Sequence, residues 1–179
     1  MPQAESFVER LARARIGTTF NFYREGAGAA LRRERLAAYL ESRTDSRYVL
    51  VGEAAGYRGA RVSGVPFTSE RQLSGGAPAE ASATIVHRVL ADLGLEEDVL
   101  LWNLVPTHPH RPGRPGSNRR PTLGEIEESA PFLAELARGR KPIAVGRLAH
   151  SRLGGRYLRH PSHGGGAAFH SGLVQYGLR

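Results

Sequence analysis

The chain has no cysteine and, among its 179 residues, a single lysine, Lys141. Without cysteine there is no disulfide, no thiolate nucleophile and no cysteine-held zinc or iron-sulfur cluster. Long apolar runs are missing too. The N-terminal stretch SFVERLARARIG is broken by charge every few residues, unlike a signal peptide or a membrane span. A soluble cytoplasmic protein with no membrane contact is expected. The third absence is local: residues 136–179 contain no acid but eight of the 25 Lys and Arg residues, so that end of the chain carries the whole formal surplus of +8. Such a face suits a polyanion such as DNA or RNA, with binding that weakens steeply as salt rises. A generally arginine-rich composition is the blander reading of the same numbers.

A chain of this length forms one ordinary domain, so residues 1–179 are expected to fold as a single unit and to act as a monomer. Apolar periodicity predicts amphipathic helices over 4–14 and 30–42, the second with Leu31, Leu36, Ala37 and Leu40 on one side. A short buried strand over 48–51 is stopped by Gly52, and a helix over 78–93 is ended by Gly94. A second strand covers 98–104. Residues 107–121, THPHRPGRPGSNRRP, form a basic loop too rich in Pro and Gly for regular structure. Thr122 and Glu125 make a capping-box start for a helix to about Arg138. A strand over 142–145, a short helix over 147–153, the end of a fourth strand at 157–158 and a helix over 167–176 complete the chain.

Strands separated by helices imply a three-layer α/β/α sandwich on a central, mostly parallel four-stranded sheet. Ligands of such sheets bind outside the carboxyl ends of the strands. The segments GEAAGYRG, WNLVPTHPH, VGRLA and RHPSHGGG each begin at or just after a predicted strand end, so four loops are expected to converge on one rim. Gly52, Gly56 and Gly59 let backbone pass close to a ligand, or are ordinary turn glycines. They do not form a phosphate-cradling loop, because no Gly-Lys-Ser/Thr follows, and their spacing is not that of a dinucleotide fingerprint.

GEAAGYRG, then GVPFTSE, LLWNLVPTHPH and RHPSHGG, in this order across residues 48–166, resemble the uracil-DNA glycosylase superfamily. That resemblance implies a DNA glycosylase, without a cofactor, that hydrolyses the N-glycosidic bond of a flipped-out deaminated or damaged base, uracil first. The partner implied is DNA containing such a base. Phe67 matches the stacking residue of the family, and Asn103 the strand-end amide that reads a pyrimidine edge. His160 matches the histidine that donates to the departing base, with His163 a second candidate. Gly52, Gly56 and Tyr57 would complete the base pocket, while Ser162, Gly164, Arg119 and Arg120 would hold DNA phosphates.

Read as residues alone, Phe67 also suits a core, Asn103 a loop tie and Glu53 a carboxylate bound to loop backbone. Trp102 points to the face opposite Asn103 and is a core residue. His108, His110, His160 and His163 raise the question of a metal; without a nearby carboxylate partner none is expected. Three departures from the family pattern stand out. Ala54 replaces the Asp that helps activate water, leaving Glu53 or positioning alone to do so. Gly56 stands where some uracil-specific members have a Tyr that bars the thymine methyl, and Gly164 where a wedge residue often follows. The rival function is a non-catalytic binder of DNA or a nucleobase that keeps the pocket; a fold-related carbohydrate or nucleotide enzyme comes third.

Overall fold

A computed structural model describes residues 2–178. Twelve elements follow one another as α1 (Pro2–Arg13), α2 (Ala29–Ser42), β1 (Tyr48–Ala54), α3 (Ala60–Ser63), α4 (Glu70–Ser74), α5 (Ala81–Asp92), β2 (Val99–Val105), α6 (Leu123–Leu136), β3 (Lys141–Val145), α7 (Arg147–Leu153), β4 (Tyr157–Leu158) and α8 (Gly166–Gln175). The four strands form one sheet in the order β2-β1-β3-β4, and every pairing is parallel. All four carboxyl ends therefore lie along one rim.

Strand alternation explains the layers. Val49 and Val51 of β1 face the same side as Leu100, Trp102 and Leu104 of β2, and there they meet Phe7 and Leu11 of α1, Leu36 and Leu40 of α2 and Leu133 of α6. Leu50, Val99, Leu101, Ile143 and Leu158 face the other side, under Val86, Val89 and Leu90 of α5 and Phe169 and Leu173 of α8. Both faces of the strands are covered, so their sequences read as near-continuous apolar runs. Trp102 is fully buried in the first layer, as its position next to Asn103 requires.

Several boundaries differ from those read in the sequence. Gly52 does not stop β1: parallel pairing continues through Gly52 with Asn103 and Ala54 with Val105, which places Glu53 on the strand. Leu31 is exposed, because it lies five residues before Leu36, about 140° away around a helix whose buried line is Ala29, Leu36 and Leu40. α5 begins at Ala81 rather than 78, and the short α3 and α4 were not foreseen. The capping box holds. Thr122 Oγ1 accepts from the Glu125 N–H at 3.2 Å, and the Glu125 carboxylate accepts from the Thr122 N–H at 2.9 Å. Among the described residues no helix is long and apolar enough to cross a membrane.

Candidate active site

At the carboxyl rim a cavity of about 180 Å³ brings together Glu53, Ala54 and Gly56 from the β1 end, Phe67, Asn103 from β2, and His160 from beyond β4. Sites for drug-sized ligands run roughly 300–1,000 Å³, so this one has the scale of a single planar ring. Asn103 is buried, and among the described residues its amide bonds no loop backbone, which leaves the amide to the cavity. Its face of β2 is the one next to Gly52. A β-carbon on Gly52 would come 2.7 Å from Asn103 Oδ1 and run into the Phe67 ring, so glycine is required for the ring and amide to close over the strand.

Phe67 itself is in the left-handed region, with φ 52°, a conformation costly for a bulky side chain. The turn that imposes it is tied by the buried Ser63, whose hydroxyl accepts from the Val65 N–H at 3.0 Å and donates to the Thr68 carbonyl at 2.7 Å. Thr68 Oγ1 also meets His87 Nε2 at 2.9 Å. Phe67 is 9% exposed and lies 6.3 Å from the His160 ring, centre to centre. It is both a buried residue and a wall of the cavity.

The hydrogen bonds of His160 define its protonation. Nδ1 accepts from the Ser162 N–H at 3.2 Å and lies 2.8 Å from the Ser162 hydroxyl, so in the neutral ring the proton sits on Nε2. Burial, with the charge of His163 as a smaller influence, pushes its pKa below the ordinary value of 6.5. His160 is therefore a neutral N–H donor. His163 is exposed at φ 51° and does not line the cavity. Ser162, expected at a DNA phosphate, is engaged with His160 and orients it. Gly164, at φ 76°, is exposed with open space around it.

Glu53 is half-buried and, among the described residues, makes no hydrogen bond to loop backbone. Burial raises its pKa, and the positive charge of Arg120 works against that. Ala54 adds an apolar stretch of wall beside it. Arg120 is exposed at this rim, whereas Arg119 lines the cavity and is already engaged by protein groups. Its guanidinium forms a two-pronged pair with Glu125 at 2.8 and 2.6 Å, and Nε donates to the His110 carbonyl at 2.9 Å. Charge patterning could not reveal that the arginine's partner is the helix-capping glutamate. Tyr57, unlike Arg119, lies outside the cavity lining: its ring packs under Arg61, 4.1 Å away, and beside His108, while its N–H donates to Asn118 Oδ1 at 2.9 Å.

Three polar cavity residues were missed by the sequence reading. Asn118 and Ser82 line the wall from distant segments, and Glu80, immediately before α5, fills the space beside Gly56 and Gly59. Gly56 is thus needed for room rather than for a left-handed backbone, and the room is already taken. His108 Nδ1 lies 2.8 Å from the Ala55 carbonyl, fastening the basic loop to the β1 end. No group of three or more His, Cys, Asp or Glu side chains suited to a metal forms among the described residues.

The sequence matches the uracil DNA glycosylase superfamily over residues 40–172, and the chain belongs to that family. No curated protein matches it by sequence. Its fold is similar to that of a solved structure, the wild-type SMUG2 of Pedobacter heparinus, with a TM-score of 0.65 over 97% of this chain and 94% of that one. Identity between the two is 14%, so the likeness is one of fold.

Proposed function

We propose that this protein is a DNA glycosylase that hydrolyses the bond between deoxyribose and a flipped-out deaminated or damaged base, with uracil as the base best suited to the pocket. The observation that carries this reading is the meeting of Phe67, Asn103, His160 and Glu53 in one cavity of nucleobase scale. Phe67 stacks on the ring, and the Asn103 amide, with one acceptor and two donors, matches a carbonyl and N–H edge. As the C1′–N bond breaks, the electron pair leaves with the base. The neutral His160 Nε2–H and the Asn103 amide act where that negative charge develops. Water held by ionised Glu53 adds its oxygen to C1′, and its proton passes to the carboxylate. Exposed Arg111, Arg114 and Arg120 track DNA phosphates beside the pocket.

Ala54 favours a second reading, a non-catalytic binder that keeps the pocket. One assay separates the two. Labelled oligonucleotides carrying uracil, hypoxanthine, ethenocytosine or mismatched thymine are incubated with the protein, and abasic sites are then cleaved with alkali. Strand cleavage at uracil is the expected result; retained DNA binding with no abasic product on any substrate leaves the binder.

A further inference from the structure

Glu80 has no task in the fold. It is the residue preceding α5, yet its side chain makes no capping bond to the helix. Its carboxyl turns instead toward the β1 end, where a β-carbon on either Gly56 or Gly59 would collide with it. Both glycines are therefore accounted for by one side chain arriving from a segment more than twenty residues away. The carboxyl lines the same cavity as Asn103, Phe67 and His160, and among the described residues it has neither a hydrogen-bond donor nor an ion-pair partner. Burial raises its pKa, with no neighbouring charge to oppose the shift. A carboxyl partly withdrawn from water and left without protein donors gains from any group that supplies one. The cavity is where such a group enters.

We infer that Glu80 touches the base itself and sets which bases the pocket admits: it rejects an apolar substituent turned toward Gly56 and favours a group that offers an N–H or O–H there. The inference rests on the base-binding reading of the cavity, and it deepens that reading by assigning a second recognition residue besides Asn103. The reasons are size and polarity together. A methyl group pressed against the carboxyl overlaps it and strips its remaining water without replacing a hydrogen bond. A donor in the same place supplies the missing partner.

The test reads binding, so it does not depend on turnover. Duplexes carrying a non-cleavable 2′-fluoro-deoxyuridine, its 5-methyl counterpart or a base-free tetrahydrofuran site are titrated against the wild type, Glu80→Ala and Glu80→Gln, with a thermal melt of each protein. Wild type is expected to bind the uracil site more tightly than the base-free site and to discriminate against the 5-methyl base. Glu80→Ala should shrink that discrimination by about 10- to 100-fold, the range a single methyl-sized contact supports. Glu80→Gln keeps the bulk, loses the charge and should shrink it less. The inference is overturned if the 5-methyl ratio is the same in all three proteins, or if both variants weaken all three duplexes equally, as a merely structural residue would. A wild type that discriminates between bases but never cleaves overturns the glycosylase reading while leaving Glu80 to be judged by the ratio. Equal binding of base-bearing and base-free sites overturns both.

Discussion

Gly52 and Asn103 are paired across β1 and β2, and the absence of a side chain on the first is what allows the amide of the second and the Phe67 ring to share the space above the strand. Gly52→Ala should therefore displace the plate and the edge reader together. Overpacking of this kind costs about 1–3 kcal/mol. The expected outcome is a lowered melting temperature together with loss of base-dependent binding, measured by thermal unfolding and by titration of uracil-bearing against base-free duplex.

His160→Ala should reduce turnover about a hundredfold or more, since it removes a placed donor. His163→Ala should leave single-turnover rates close to wild type, because that ring stands outside the cavity. Ser162→Ala should produce a smaller loss, because it removes the hydroxyl contact to Nδ1 while the backbone N–H that fixes the tautomer stays. A His163→Ala variant slower than His160→Ala would show that the wrong histidine has been assigned.

To act as the proposed base, Glu53 has to be ionised. Burial raises its pKa above 4.5, so the rate should climb with pH through a value higher than that of a free glutamate and level off once the carboxylate has formed. Burial lowers the His160 pKa below 6.5, which favours its neutral form near pH 7. Glu53→Gln should lower kcat by about 10²–10⁴ and abolish the acid limb. Retention of full rate near neutral pH would rule out a carboxylate base.

The Arg119–Glu125 pair bears on stability. Burial alone would raise the Glu125 pKa, but Arg119 and the Thr122 N–H outweigh it and hold the value below 4.5. A group depressed in the folded state contributes stability that is present above its unfolded pKa and is lost as pH falls through the folded one. Arg119→Ala leaves the carboxylate buried and unpaired, an effect of about 3–5 kcal/mol. Urea unfolding at pH 7 should show the loss, and at a pH below the folded value the difference between variant and wild type should narrow.

DNA affinity should fall linearly on a log-log salt plot, each neutralised phosphate contributing about 0.9 to the slope on duplex. Charge reversal of Arg111, Arg114 and Arg120 should flatten the slope without altering which base is preferred, because phosphate contacts position and pocket contacts specify. Salt-independent binding, measured by anisotropy on random-sequence duplex, would refute the phosphate role of this rim.

What could be read in the sequence was whatever is set by neighbours along the chain. Thr122 and Glu125 are three residues apart, and their reciprocal bonds follow from helix geometry alone. The alternation of Trp102 and Asn103 placed each on its own face of the sheet, the first in the core and the second on the cavity. Gly52 misled because a glycine rule for strand ends knows nothing of a partner strand that keeps the ladder going to Ala54. Glu80 was invisible for a related reason: its contact with Gly56 and Gly59 exists only once the chain has folded back. The Glu125 partner of Arg119 was not legible because composition records charges and not their partners. Phe67, Asn103, Glu53 and His160 were singled out by motif, and the cavity brings those four together; Tyr57 and His163, chosen in the same way, stand outside it.

The strand order β2-β1-β3-β4 places the first strand of this sheet to be made on its inside, between two strands that do not yet exist. Tyr48 must wait for Val99 on one side and for Lys141 on the other, and His160 arrives only after both. Pairings so distant along the chain are slow to form, since the entropy of closing each loop is lost before any contact rewards it. The pocket is therefore among the last features of the molecule to assemble during synthesis. A nascent chain released before Leu158 would carry the glycine motif, the aromatic plate and the edge-reading amide, and still have no site.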